Sequence, residues 1–166
     1  MVLANGDDHY GKEPILLAVE HALHGDADEH ALVAFTLANT LGASGDVNRA
    51  VCETDGSEML LSTEEVHGLH ADPSGGATDA TGRAWEAHRL VSMNLWVLRP
   101  SVLPLFRTLF QAGAYGPGGE FGLPAVVDAA LERHHRFRVL PTKSAWCGLT
   151  YPDDAELVRR MLADRP

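Results

Sequence analysis

Short apolar runs of strand length alternate along this chain with segments of helical period. That alternation admits few folds besides a sheet with helices packed against it. MVLAN (1–5) reads as a short buried strand ending at Asn5-Gly6. KEPILLAVEHALH (12–24) reads as an amphipathic helix. Ile15, Leu16, Ala18, Val19, Ala22 and Leu23 keep helical spacing, and Pro14 is tolerated because it falls in the first turn. ALVAFTLA (31–38) is a second strand-length run, and HRLVSMNLWVL (88–98) a third. Helices are expected at 101–112 and 120–135, a strand at 136–141 (RFRVLP), an extended piece at SAWCGLTY and a last helix at PDDAELVRRMLADR. That last helix has Asp153 and Asp154 in its first turn and Arg159 and Arg160 further along, as the helix dipole favours.

Between these halves the texture changes. A glycine-bearing loop, Gly42–Gly45, leads into two short runs either side of Asp55-Gly56, which predict a β-hairpin. HGLHADPSGGATDATGRA (67–84) has no apolar period and is expected as an exposed, mobile loop. The expected fold class is therefore α/β: a mixed sheet with a β-hairpin insertion, in a single domain over residues 1–166.

Bulk properties exclude several functions. A net charge of −10 argues against non-specific binding of nucleic acid or of an anionic membrane. No run approaches the ~20 apolar residues of a membrane span, and no signal peptide is evident at the N-terminus. The two cysteines, Cys52 and Cys147, have no metal-type spacing and predict no disulfide framework. A reduced, cytoplasmic protein is the expected setting.

Asp7 and Asp8 stand where ligands bind in open α/β sheets, just past the carboxyl end of a strand. Carboxylates there suit Mg²⁺, which takes few protein oxygens plus substrate phosphates. They equally suit a solvated turn opening a helix. Gly45 and the nearby cation Arg49 read either as a close-approach loop or as a flexible turn. Asn94, inside the apolar run Val91–Val97, needs a hydrogen-bond partner if buried, either ligand or backbone. Glu120 opens a helix as an ordinary N-terminal acid or as a ligand-reading carboxylate. Nine histidines raise zinc, but pairs such as His21/His24, His67/His70 and His134/His135 show no third ligand at a recognisable spacing.

Taken in order, five stretches resemble the bacterial sugar-phosphate nucleotidyltransferases, the sugar-nucleotide pyrophosphorylases. ANGDDHYGKE resembles that family's NADDFYG, and LANTLGASGDVNRAVCE its gNTLSxxGxVxRGvC. LVSMNLWVLRPSV is similar to pVSMNMWgFxPsi, EFGLPAVVDAAL to EFfLPxvvdxLi, and SAWCGLTYPDD to kWfGvTYkeD. The resemblance implies a partial Rossmann-like sheet and a Mg²⁺-dependent reaction. In that reaction a sugar 1-phosphate attacks the α-phosphorus of a nucleoside triphosphate and pyrophosphate leaves. It makes Asp7 the strand-end metal ligand with Asp8 in support. Gly45, Glu65, Asn94 and Glu120 then line the sugar pocket, with Arg49 at its entrance. The similarity covers the C-terminal part of the family's domain. The family's glycine-rich loop with its essential arginine, and a downstream lysine, have no counterpart before Asp7. Nor does an acid follow Trp146, where many relatives place a second metal-binding aspartate. Losing a whole phosphate cradle costs far more than the ~10²–10³ in rate of one donor. The chain alone is therefore expected to be catalytically silent, and a non-catalytic fragment or interaction module retaining the sugar-phosphate half-site is the alternative. A bare apolar edge at strand 1–5 predicts self-association or a complementing chain.

Overall fold

The apolar run expected as a buried strand occupies Glu29–Thr36 in the computed structural model, where every residue but the last is buried. The structure describes residues 1–41, 45–73, 75–113, 121–148 and 159. In chain order the strands are β1 (Val2–Leu3), β2 (Asp8–His9), β3 (Glu29–Thr36), β4 (Val47–Thr54), β5 (Leu60–Ala71), β6 (Ala77–Thr78), β7 (Ala84–Trp85), β8 (Leu90–Val97), β9 (Arg136–Thr142) and β10 (Cys147–Gly148). The helices are α1 (Lys12–His24), α2 (Leu103–Gln111) and α3 (Leu123–Glu132). Glu120 and the expected last helix, Arg159 apart, lie outside the described residues.

One mixed sheet runs β7-β6-β5-β4-β8-β3-β9, and β1 also pairs with β8. The β3–β9 pair is parallel, whereas β3–β8, β4–β8 and β1–β8 are antiparallel. Residues of β3 alternate between the two faces. Ala31, Val33 and Phe35 pack with Ala18 of α1 on one face, and Leu32 and Ala34 pack with Leu105 of α2 and Val126, Val127 and Ala130 of α3 on the other. The α/β class with a mixed sheet and a β4–β5 hairpin is thus present. The hairpin does more than extend the sheet. Its tip curls back to the far edge, where the Val139 N–H donates to the Glu58 carbonyl at 2.8 Å and Met59 bridges Arg138.

The span 67–84 differs from the expected loop. It holds the end of β5, the short strand β6 and the first residue of β7, with Ala77 buried and Trp85, just past its end, buried as well. Its order comes from one carboxylate and not from an apolar period. Asp79 accepts hydrogen bonds from the Thr81 N–H and hydroxyl, the Arg83 N–H and the Trp85 indole N–H. These bonds, the Thr81 hydroxyl foremost, hold the Asp79 carboxyl well below the usual carboxylate range.

Helix α1 is set on the sheet by its two ends. Near its start, Glu13 accepts from the hydroxyls of Thr142 and Ser144, beside β9. That contact turns the opposite flank, Ile15, Leu16, Val19 and Leu23, to solvent, with Leu23 71 % exposed. At its end, Arg99 donates to the carbonyls of His21 and Ala22 at 3.0 Å and of Glu29 at 2.9 Å. A cation capping the last carbonyls of a helix satisfies otherwise orphaned acceptors and the dipole together. Arg99→Ala is expected to lower unfolding stability by at least about 2 kcal/mol, the scale of charge-assisted hydrogen bonds. Arg99→Lys should recover only part, since a point ammonium does not span three carbonyls. Urea denaturation followed by circular dichroism measures both.

Candidate functional site

Strand β8 changes partners halfway along. At its start it pairs with β4 (Val91 with Val51, Ser92 with Ala50), and at its end with β1 (Trp96 with Leu3, Val97 with Val2). Since β3 occupies one edge of β8 throughout, β4 and β1 share the other edge end to end. Between them β8 bulges. Ala34 of β3 is opposite Ser92 and Val33 is opposite Leu95, so Met93 and Asn94 are left over. Asn94 takes φ 59°, the left-handed region that asparagine tolerates better than most residues, and its N–H donates to the Ser92 hydroxyl at 3.2 Å. A bulge beside a break between neighbouring strands opens a crevice in a sheet. It is a common place for a binding site.

The turn after β1 is fastened into this crevice. The Tyr10 hydroxyl donates to the Met93 carbonyl at 2.7 Å and accepts the Asn5 N–H at 3.1 Å. It also lies 3.1 Å from Asp8 Oδ2, to which the Asn5 side-chain amide donates at 2.9 Å. Burial, with the nearby Asp8 and Asp7 carboxylates adding to it, raises the Tyr10 phenol above its ordinary value. Tyr10 is therefore a neutral, fixed tie between Asp8 and the bulge. Asp8 is half-buried and pairs across β2–β10 with Gly148, while Asp7 is exposed at the turn. Glycine is required opposite Asp8, because a Cβ at 148 would fall 2.9 Å from the Trp146 ring and 3.1 Å from Asp8 Oδ1.

Arg49 closes the corner from β4. It is 9 % exposed, donates to the Asn48 carbonyl at 2.7 Å and to the Thr40 carbonyl, and stacks on the Trp146 ring at 4.9 Å. Burial pulls its guanidinium down to about 10, offset in part by the carboxylates of Asp8 and then Glu65. It stays charged at neutral pH. Through Thr40, Arg49 anchors the stretch entering the glycine loop, which Trp146 also holds by donating its backbone N–H to the Asn39 carbonyl at 3.4 Å.

Asp8, Arg49 and the Asn94 bulge thus meet at one corner, with Glu65 acting on Arg49 through its charge from an exposed position on β5. Gly45 is exposed at φ 88°, with open space where a side chain would be. Glu120 falls outside the described residues. Tyr10 and Trp146 belong to the corner although residue type alone did not mark them. Tyr10 carried one usable signal, a polar aromatic two residues after an acid. Among the described residues no group of three or more histidine, cysteine or acidic side chains could hold a metal ion. Mg²⁺ needs only one or two carboxylates beside water and phosphate oxygens. Asp8 has its Oδ2 tied back by the Asn5 amide and its Oδ1 in the close space beside Gly148 and the Trp146 ring, so one half-buried carboxylate, with the exposed Asp7 next to it in sequence, is what the corner offers such an ion. Among the described residues no helix is long and apolar enough to cross a membrane.

Compared with models of known protein families and with curated proteins, the chain matches none.

Replacing Tyr10 by Phe should remove the tie and nothing else. The Met93 carbonyl and Asn5 N–H then lose a buried partner, at a cost of ~1–3 kcal/mol in chemical denaturation. The ring still fills its place against Phe35, so the fold should persist by circular dichroism.

Proposed function

We propose that the corner formed by Asp8, Tyr10, Arg49 and Asn94 is the sugar-phosphate side of a nucleotidyl-transfer site. In the proposed reaction a sugar 1-phosphate oxygen attacks the α-phosphorus of a nucleoside triphosphate and pyrophosphate leaves. Supporting this is the sequence resemblance, whose segments converge here from β1–β2, β4, β8 and β10. The observation that carries it is a carboxylate at a break in the sheet with one oxygen fixed by the Asn5 amide beside the Tyr10 hydroxyl. Asp8 and Asp7 would hold Mg²⁺, which when bound neutralises phosphate charge as the transferred group leaves. Arg49 keeps the entry of the glycine loop in place, and Glu65 and Gly45 stand toward the sugar. On this reading the sheet is Rossmann-like. The parallel β3–β9 pair, with α1 on one face and α2 and α3 on the other, supports that description.

Binding is the informative readout, since the resemblance matches the sugar-phosphate part of the family's site. Titration calorimetry with a panel of sugar 1-phosphates should show binding that requires Mg²⁺. Asp8→Asn should weaken it at least about tenfold, as for loss of a charged contact. Pyrophosphate release from any triphosphate is expected to stay at background. A chain that binds none of the sugar phosphates refutes the proposal.

A second reading, an interaction module, draws on the open surface beside β1. Among the described residues only β8 pairs with β1, and Met1 and Val2 are exposed at that edge. The exposed flank of α1 adds Leu16 and Leu23, and a second copy of the chain covering it would remove both liabilities. Light scattering should then report a mass above the monomer, and Leu16→Glu with Leu23→Glu should return it to one chain. A monomer at high concentration counts against this reading.

A further inference from the structure

Away from the corner, two histidines are held by a hydrogen-bond chain with no room for another proton. His30, second in the buried stretch of β3, has no solvent exposure. Its Nδ1 accepts the backbone N–H of Arg99 at 3.0 Å, which leaves the ring proton on Nε2. Nε2 lies 3.1 Å from Nδ1 of His135, so His30 donates and His135 accepts. The two rings are 26° from coplanar and 5.3 Å apart. A proton added to His30 would face the Arg99 N–H. A proton added to Nδ1 of His135 would face the His30 N–H. Either puts two donors against each other inside the protein.

The surroundings give a proton no compensation. The charges acting on His30 are His135, Arg99 and the amino terminus, all of the same sign. Glu29, next in β3, gives its carboxylate to Arg138 at 2.8 Å, and Arg136 of β9 pairs with Asp26 at 2.7 Å. On α3, Asp128 and Glu132 act on each other, and Arg133 donates to the Ala129 carbonyl. His21 of α1 spends Nε2 on the Glu29 carbonyl. Phe137 stacks on the His30 ring at 4.5 Å, and Trp96 meets Phe137 edge-on at 5.9 Å.

The pair sits where three parts of the fold join. His135 ends the turn from α3 into β9, in which His134 adopts φ 61° and the His135 N–H donates to the Ala130 carbonyl. Arg99, bonded to His30 through its main chain, caps α1 with its side chain. We propose that the His30–His135 pair is a proton-operated latch. With both rings neutral it closes the α3–β9 turn onto the end of β8 and the capped end of α1, and uptake of a proton releases that junction. Burial, followed by the positive neighbours, pushes the His30 imidazole down to about 4. The unfolded chain, with ordinary histidines, binds the proton first as pH falls. The latch's contribution is complete above about pH 6.5 and is lost as pH drops toward 4.

Side-chain NMR titration of the full chain tests this, with the exposed His24 and His88 as internal references. The His30 ring should stay neutral until the pH nears about 4 and then take up its proton, with faster hydrogen exchange at the Arg99 N–H. His30→Asn keeps an acceptor for the Arg99 N–H but does not titrate. Its Tm should fall by several degrees less than that of the parent between about pH 7.5 and about pH 5. A His30 ring that takes up its proton at the ordinary histidine value, with Arg99 exchange unchanged, overturns the proposal. So does an identical Tm slope in the variant. If the variant fails to fold, the titration and exchange of the parent chain decide.

Discussion

Strand β3 must bury two faces and both backbone edges, and the rest of the fold follows from that demand. A strand with seven consecutive buried residues leaves no peptide group to water, so β8 and β9 flank it along its length. Its faces need separate covers, α1 on one and α2 with α3 on the other. Reaching β9 in parallel from β3 requires a long excursion. The chain uses that excursion to build the hairpin, β8 and both later helices.

The same demand creates the candidate site. Because β3 holds one edge of β8 throughout, β4 and β1 must share the other, and they cannot both continue past the middle. The bulge at Met93 and Asn94 takes up the mismatch, and the turn from Asn5 to Tyr10 fills the opening. Asp8 is oriented by the Asn5 amide and lies 3.1 Å from the Tyr10 hydroxyl, whose proton goes to the bulge itself. Carboxylate geometry and sheet irregularity are therefore one feature here.

Buried polar side chains do much of the joining in this protein, and they join to backbone more than to one another. Arg99 holds three carbonyls, Arg49 two, and Asp79 organises the whole stretch 79–85. Most of these bonds go to peptide groups at the ends of strands and helices or in turns. His30 belongs with them, and differs in having every bonding position taken while it is neutral.

Local chemistry was legible in the residues themselves. Helix α1 runs over the residues its period indicated, because spacing and the first-turn Pro14 depend on near neighbours only, but four of the six apolar residues that set the period, Ile15, Leu16, Val19 and Leu23, face solvent. The core strands and the hairpin at Asp55-Gly56 were legible for the same reason. The strands in 67–84 were not, since an Asp79 network leaves no periodic trace. The sequence by itself determined the α/β class, the buried strands β3 and β8 and the acids after the first strand; that strand, expected as buried over 1–5, is only Val2–Leu3 and lies at an exposed edge, because among the described residues only β8 pairs with it. Only the tertiary structure decided that Asp8 and not Asp7 is tied to the bulge, that Tyr10 and Trp146 share its corner, and that His30 finds His135 across 105 positions of chain. Those contacts are set by which strand edges remain free once the core is buried, a property of the whole sheet that no local window of sequence contains.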